Sequence, residues 1–313
     1  MKKWDFTLGV DVSKLTLDIH CWELNIHIQV ANGSAGYKQF LKWCKEVKIN
    51  LSSCFIAMEY TGGYEYKFIQ FCEAKNLSYC RVPGLSIKNS LGIVRGKNDK
   101  ADARRIAQYA SEKHEHMKAA GPINTAIVQL RQYLSFRKRL VRESAGYKAS
   151  LTERKAMYKL DKNDIIAQVS AKKIADNGKL ITKIEREIRS LIQSDQKLLM
   201  NFKIISSIKG IGEINAWMTL AFTENFSCFK SPRSYAVYVG VVPFEHTSGT
   251  SIKGRKKVSQ LANKELKQEL NQAAKSAMTW NKDIKAYADR RLKEKPYKVV
   301  LNNVKFKLIL RMF

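Results

Sequence analysis

The chain has 313 residues, 45% of them hydrophobic, and carries a formal net charge of +28 from 56 Lys and Arg against 28 Asp and Glu. This apolar content is normal for a globular protein and excludes an intrinsically disordered chain, and no apolar run is long enough to cross a membrane. A compact body with so much positive charge repels itself, so the composition predicts a polyanionic partner such as nucleic acid.

The positive charge is unevenly distributed. Residues 1–98 hold 13 basic and 8 acidic residues, whereas residues 99–313 hold 43 and 20. We interpret the nearly balanced part as catalytic and the basic remainder as the part that grips nucleic acid. The six cysteines form no C-x-x-C pair and have no His cluster beside them, which argues against structural zinc. No signal peptide is predicted, and a reduced, cytoplasmic and nucleoid-associated location is expected.

The first third of the chain alternates between strand and helix patterns. A buried strand is predicted at 6–12, and two strands with period-two alternation are predicted at 15–22 and 25–30. The remaining elements are a helix at 36–46, a central strand at 54–58, a helix at 64–74, a strand at 77–82 and a helix at 99–115. This is the order of an α/β RNase H-like (RuvC-like) fold, predicted for a catalytic domain at residues 1–120.

Residues 121–200 have a different character. After Pro122 this stretch contains no further proline and only two glycines, Gly146 and Gly178. Apolar residues step by three, four and three along Ile181, Ile184, Ile188 and Leu191. The pattern predicts a helical coiled-coil arm, either as an antiparallel hairpin or between subunits, and an ordinary helical bundle is the alternative.

Residues 201–313 are predicted to form a mainly α C-terminal domain. Gly210-Ile211-Gly212 before an apolar helix resembles a helix-hairpin-helix, whose backbone N–H groups can face a phosphate, although a bare turn between helices has the same pattern. A basic loop follows at 246–257, and an amphipathic helix at 261–278. The candidates for binding nucleic-acid phosphates are Lys253, Arg255, Lys256 and Lys257. A solvated charged face is the alternative.

Four acids are the candidate catalytic residues. Asp11 and Glu59 each end an apolar strand, where a carboxylate is otherwise costly, and Asp99 and Asp102 lie three apart at a helix start. Each alone is explained by capping or by the helix dipole. Together, they can converge on a pair of divalent cations, as phosphodiester chemistry requires, and carboxylate oxygens suit Mg²⁺, with Mn²⁺ possible.

Several ordered motifs resemble one protein family. They are Gly9-Val10-Asp11-Val12-Ser13-Lys14, Glu59-Tyr60-Thr61-Gly62-Gly63-Tyr64, Lys97-Asn98-Asp99-Lys100-Ala101-Asp102-Ala103-Arg104, Gly210-Ile211-Gly212, Tyr238-Val239-Gly240-Val241-Val242-Pro243 and Ser248-Gly249. The chain is similar in these blocks to the Piv-like DEDD transposases of the insertion sequence 110 family. The resemblance covers most of the chain and is least specific over the arm at 122–200.

The resemblance implies a RuvC-like domain whose acids are Asp11, Glu59, Asp99 and Asp102, and a C-terminal domain whose nucleophilic serine is Ser248. It also implies a structured non-coding (bridge) RNA that pairs with target and donor DNA. Recombination would then proceed through a covalent 5′-phosphoserine link in a homo-oligomer, a dimer or tetramer. Many relatives have a tighter serine- and glycine-rich run than His246–Ser251, so Ser251 is a rival to Ser248.

Three functions compete at this point. The first is an RNA-guided DNA transposase or recombinase of a mobile element, with a Mg²⁺-dependent DEDD site and a serine nucleophile. The second is a RuvC-like, junction-resolving DNA endonuclease that hydrolyses DNA with two metals, in which Ser248 is structural. The third is a nucleic-acid-binding scaffold without activity, against which the placing of the four acids argues. No membrane partner is expected.

Overall fold

The structure is a computed structural model that describes residues 4–90, 98–158, 161, 163–248 and 252–313. The chain divides into two compact units, Met1–Pro122 and Ile123–Phe313. The first is a mixed α/β unit, and the second is mostly helical. A further division of the second unit into an arm and a C-terminal domain stays a prediction.

A five-stranded sheet forms the centre of the first unit, in the order β3-β2-β1-β4-β5. The first three strands are antiparallel neighbours, whereas β4 runs parallel to β1 and β5 runs parallel to β4. The strands are β1 (Phe6–Val12), β2 (Thr16–Cys21), β3 (Ile26–Ala31), β4 (Cys54–Glu59) and β5 (Ser78–Val82). The three antiparallel strands and the two parallel ones occur in the predicted order.

The parallel part of the sheet explains the apolar runs in the sequence. In β1, Leu8 and Val10 are fully buried, and in β4 every residue from Cys54 to Met58 is buried. Parallel strands are covered on both faces and therefore read as continuous apolar sequence instead of alternating. An acid that ends such a strand lies at the rim of this buried centre.

The described part of the first unit contains four α-helices: α1 (Ser34–Glu46), α2 (Tyr66–Ala74), α3 (Gly84–Ser90) and α4 (Asp99–Glu112). Helix α4 packs against β1, β2 and β4. It approaches β1 so closely that a Cβ on Gly9 would lie 2.2 Å from both Ala103 O and Ala107 N. Only glycine permits this contact, which fixes the start of α4 over the sheet.

The second unit begins with two long helices, α5 (Thr125–Tyr158) and α6 (Ile165–Ser194), which pack against each other. At 1.5 Å per residue their lengths are about 51 and 45 Å. The start of α5 and the end of α6 enter the core of the unit, through Ile127 and Leu130, and Ile188 and Ile192. The predicted coiled-coil geometry stays a prediction.

The rest of the second unit packs around Trp217 and Tyr235, which are 1% and 0% exposed. Its helices are α7 (Gln196–Ser206), α8 (Glu213–Thr223), α9 (Pro232–Val239), α10 (Lys264–Trp280), α11 (Lys282–Leu292) and α12 (Tyr297–Met312). Between α9 and α10 run two antiparallel strands, β6 (Pro243–Ser248) and β7 (Ile252–Val258). In the described ranges, no helix is long and apolar enough to cross a bilayer.

The basic segment 246–257 is therefore not the predicted loop, because most of it lies in this hairpin. A two-stranded hairpin can carry many charged side chains, since an edge strand is exposed and charge there discourages pairing with other chains. Helix α3 was also not predicted. It begins directly after Pro83, where the sequence indicated only the end of a strand.

Candidate functional site

Asp11 lies near the end of β1, in the middle of the sheet. Its register partner across the antiparallel pair is Asp18 on β2, and the parallel neighbour β4 ends at Glu59. Because the carboxyl ends of parallel strands meet at the same edge of a sheet, these two strand ends lie side by side. Residues separated by 48 positions along the chain are neighbours here for that reason.

Asp99 and Asp102 occupy the first turn of α4. The side chain of Asn98 caps the helix by accepting a hydrogen bond from Ala101 N at 2.7 Å, and this bond defines where the turn begins. The two carboxylates are three residues apart and share one side of the helix. The close contact of α4 with Gly9 holds this turn near the end of β1.

The acids act on one another electrostatically. The pKa of Asp11 is raised to about 6, mainly by burial and then by the charges of Asp102, Asp99, Glu59 and Asp18, in that order. All three of the other candidate acids thus contribute to one electrostatic site around Asp11. A site that raises a carboxyl pKa by repulsion binds a cation favourably, because the cation offsets the same repulsion.

The carboxylates are adjacent without having closed on a common point. Asp102 Oδ1 accepts a hydrogen bond from Arg105 Nη1 at 2.5 Å, and the side chain of Glu59 lies against Gly84, where a Cβ would be 2.0 Å from Oε1. In the described part of the chain no three His, Cys, Asp or Glu side chains are near enough to hold a metal ion. The donor set itself fits a hard divalent cation, since four carboxylates offer the oxygen ligands that Mg²⁺ prefers.

Asp18 is a fifth acid of this site and was not among the residues predicted from the sequence. Asp18 is 4% exposed and accepts hydrogen bonds from His27 Nε2 at 2.8 Å and Gln29 Nε2 at 3.0 Å. The sequence did contain a signal for Asp18. Polar residues occupy alternate positions of β2 and β3, and this alternation places Asp18, His27 and Gln29 on one face of the sheet. These bonds make Asp18 a supporting carboxylate beside Asp11.

Ser248 is the last residue of β6, where its register partner is Ile252 of β7. It therefore lies at the closed end of the hairpin, and its backbone is described but its side chain is not. Ser251 lies outside the described residues. Lys253, Arg255 and Lys256 lie on β7 with their side chains outside the described part, and Lys257 is exposed near the other end of the strand.

The turn at Gly210-Ile211-Gly212 connects α7 to α8, as the helix-hairpin-helix resemblance predicts. Gly210 adopts a φ of +107°, and Gly212 caps α8. However, the lining of the adjoining cavity, about 430 Å³ in volume, includes Glu185, Glu213 and Glu269. The carboxylate of Glu213 accepts hydrogen bonds from Arg189 Nη2 at 2.7 Å and from Arg189 Nε at 3.0 Å. Three carboxylates beside a helix N-terminus disfavour a phosphate there.

Comparison with known proteins matches both units to transposases. A transposase family model of the DEDD, IS110 type matches residues 8–154, which include all four candidate acids, and the model of the Transposase IS116/IS110/IS902 family matches residues 202–289. The chain is 25% identical over 275 residues to the pilin gene-inverting proteins of Moraxella lacunata and Moraxella bovis. Each alignment covers 84% of this chain and 80% of the relative.

The chain is thus a DNA transposase or recombinase. More closely, it belongs to the IS110 family of transposases, as the resemblance in the sequence indicated.

Proposed function

We propose that this transposase cuts and rejoins the DNA of a mobile element, using a RuvC-like DEDD site that holds Mg²⁺ and a serine nucleophile. Asp11, Glu59, Asp99 and Asp102 are the metal ligands, on an RNase H-like sheet. The observation that carries the proposal is the electrostatic coupling of Asp11 to the other three acids, which brings together four carboxylates from three separate elements, β1, β4 and α4. The two relatives named for inverting a gene support recombination in place of simple cutting.

The protein's own groups have distinct parts in this chemistry. When bound, Mg²⁺ supplies charge stabilisation at the reacting phosphodiester and lowers the pKa of the attacking hydroxyl or water. Arg105 holds Asp102 in the absence of a cation, and exchange of this partner frees the carboxylate for ligation. Asp18, fixed by His27 and Gln29, orients negative charge toward Asp11 from the neighbouring strand.

Ser248 is the proposed nucleophile of strand transfer. Its Oγ forms a bond to phosphorus, the bond from phosphorus to the 3′ oxygen breaks, and the serine proton ends on the departing 3′ hydroxyl. The product is a 5′-phosphoserine link that conserves the energy of the broken phosphodiester for rejoining. Support comes from the position of Ser248 at the end of a hairpin whose second strand carries Lys253, Arg255, Lys256 and Lys257. We assign these cations to nucleic-acid phosphates.

We further propose that a structured non-coding RNA guides the enzyme to target and donor DNA, and that the enzyme acts as a homo-oligomer joined through a coiled-coil arm. Residues 123–313 hold 38 basic and 16 acidic residues, an excess of positive charge that suits the phosphates of both DNA and RNA. Helices α5 and α6 expose apolar side chains far from the core, including Phe136, Met157, Ile165 and Val169. Such side chains suit a helical interface with a second subunit.

A covalent-trapping assay tests the proposal. Purified protein with its co-purifying RNA is incubated with Mg²⁺ and end-labelled DNA that carries the ends of the element, and products are resolved on a denaturing gel. We expect a label that migrates with the protein and disappears in Ser248→Ala and in Asp102→Ala. Ser251→Ala is the matched control and keeps the adduct.

The same gel separates the alternatives. Free cut DNA without an adduct, unchanged in Ser248→Ala, would mean that the enzyme is a metal-dependent endonuclease and that the serine is structural. An adduct lost in Ser251→Ala but retained in Ser248→Ala would move the nucleophile to Ser251. Full activity of Asp102→Ala would contradict the acidic site.

A further inference from the structure

A second, basic cavity lies beside the start of α4, about 330 Å³ in volume. We call it the His20 pocket. It is lined by His20, Asn25, Asn98, Lys100, Ala101 and Arg104. Neither Lys100 nor Arg104 has an ion-pair partner in the described part of the chain, and both side chains are exposed. The lining carries two fixed positive charges and no carboxylate.

His20 is the unusual member of this lining. It is 3% exposed, yet neither of its ring nitrogens has a hydrogen-bond partner among the described residues. Burial lowers the pKa of His20 to about 4, with further lowering by Arg104, His27 and Lys100, so the ring is neutral and one nitrogen carries a proton to donate. A buried polar group without a partner is costly, and such a group at a cavity wall indicates a ligand that completes it.

The first turns of α4 separate acid from base. Asp99 and Asp102 lie on one side of the buried stripe of this helix, toward Asp11, whereas Lys100 and Arg104 are four residues apart on the other side. The N-terminus of a 14-residue helix, capped by Asn98, adds partial positive charge at the same place. The pocket therefore collects two cations, a helix N-terminus, two amide side chains and an imidazole, a set that suits a phosphate.

The pocket is close to the acidic site. His20 and Gly9 are register partners, and Asp11 and Asp18 are the partners two residues further along the same strands. All four lie on the face that α4 covers, and two residues of a strand span about 7 Å. A strand of DNA whose phosphate lies near Asp11 thus has a neighbouring phosphate within reach of His20 and Arg104.

We propose that the His20 pocket binds a backbone phosphate of the DNA strand being cut, close to the scissile phosphodiester. Four carboxylates repel DNA, and a cationic pocket on the other side of α4 offsets that repulsion and sets the position of the strand. The inference rests on the proposed function, because that function places DNA at the acidic site. His20, Lys100 and Arg104 are positioning residues in this scheme.

The test measures DNA binding in EDTA, where metal-dependent cutting cannot occur. Protein with its co-purifying RNA is titrated onto fluorescent DNA carrying the element's ends, and single phosphates around the cut site are replaced one at a time by uncharged methylphosphonate. We expect the affinity of wild type for DNA to fall about tenfold when one particular phosphate of this series is neutralised. Arg104→Ala and Lys100→Ala weaken binding to unmodified DNA by a similar factor and lose sensitivity at that same phosphate. Lys113→Ala, at the C-terminal end of the same helix, retains the wild-type map.

His20→Phe removes the ring nitrogens and keeps the volume. Since these nitrogens have no partner among the residues that the structure describes, the melting temperature is expected to stay within the range of wild type while the sensitive phosphate disappears from the map. A histidine that only fills space would leave the map unchanged. If His20→Phe does not fold, the two surface variants decide the question, because Lys100 and Arg104 are exposed.

Two results would overturn the proposal. One is a methylphosphonate map of Arg104→Ala and Lys100→Ala that equals the map of Lys113→Ala. The other is a loss of affinity that occurs when phosphates of the guide RNA are neutralised and does not occur when phosphates of the DNA are neutralised. Cleavage by wild type in Mg²⁺ is measured separately. If the pocket binds DNA but the protein never cuts it, the proposed function is contradicted while the proposal for the pocket stands.

Discussion

The two units of this protein differ in where they hold charge. Residues 1–122 carry 18 basic and 12 acidic residues, and three of the acids, Asp11, Asp18 and Glu59, lie within the sheet. Residues 123–313 carry 38 basic and 16 acidic residues, and in the described part of this unit Lys305 is a buried charged side chain, 4% exposed. A sheet brings together side chains from distant parts of the chain, whereas long helices spread charge over a surface. The four candidate acids accordingly lie in the first unit, and most of the excess positive charge lies in the second.

Removing one acid from the first unit has the largest expected effect. Losing even a supporting partner of a metal ligand costs about 10–100-fold, so Glu59→Gln is expected to reduce Mg²⁺-dependent DNA cleavage by more than about 100-fold. DNA binding in EDTA is not weakened, because the substitution removes a negative charge that repels DNA and leaves every cation that faces the DNA in place. Glu46→Gln, at an exposed position of α1, is the matched control. Cleavage by Glu59→Gln at the control's rate would remove Glu59 from the site.

A single methyl group added at Gly9 is expected to disrupt the packing of α4 on the sheet. Gly9→Ala places a Cβ 2.2 Å from backbone atoms of α4, which cannot move aside as a side chain can. We expect a loss of unfolding free energy of about 3 kcal/mol and a loss of cleavage, because Asp99 and Asp102 move with the helix. Chemical denaturation provides the measurement. Gly33→Ala, where nothing lies within 4 Å of the new Cβ, is expected to change stability little, and an equal loss in both variants would contradict this account.

Lys305 predicts how the second unit responds to pH. Burial is the main cause, and the charge of Lys267 the second, of a pKa of Lys305 lowered to about 8 from its unfolded value of 10.5. The unfolded chain then binds the proton more tightly, so the unfolding free energy is reduced below pH 8 and recovers as the pH rises toward 10.5. Lys305→Met is expected to stabilise the protein by about 2 kcal/mol at pH 7. Thermal unfolding at pH 7 and pH 10 checks this, and a gain that is the same at both would exclude titration as the cause.

Asp11 predicts the opposite dependence for the first unit. Its pKa is raised to about 6 from 3.8, mainly by burial, so the folded state binds the proton more tightly. The contribution of Asp11 to stability is then highest below pH 4 and falls as the pH rises through 6. In EDTA, Asp11→Asn is expected to gain about 1–2 kcal/mol at pH 7.5 over wild type, a gain that vanishes near pH 4. Denaturant unfolding at both pH values measures it, and a destabilised Asp11→Asn at pH 7.5 would contradict the assigned repulsion.

The smallest expected effect is at Gly146, where packing is open, in contrast to the close packing at Gly9. Gly146 lies inside α5, and a Cβ there would meet nothing within 4 Å. Gly146→Ala is expected to raise stability by about 0.5–1 kcal/mol, the helix preference of alanine over glycine. Circular dichroism during thermal unfolding detects the change. A destabilised variant would indicate that this face of α5 is covered by something outside the monomer.

The sheet and the acids could be predicted because each left a local signal. Apolar runs ended by Asp11 and Glu59 marked the buried parallel strands, and the pair Asp99 and Asp102, three residues apart, marked the start of α4. His20 could not be predicted, since a histidine in an alternating strand does not reveal whether its ring has a partner. The β6–β7 hairpin was missed because basic residues lower strand propensity, and only the pairing across the hairpin compensates.

The spacing of the acids along the chain has a consequence for synthesis. Asp11, Glu59, Asp99 and Asp102 come from β1, β4 and α4, and the last of these is made long after the first. A nascent or prematurely terminated polypeptide that stops before α4 contains two of the four carboxylates and has nothing to cover the face of the sheet at Gly9. On the proposed assignment of the four acids as metal ligands, a translation product that ends before α4 lacks two of the four ligands and is expected to leave DNA uncut.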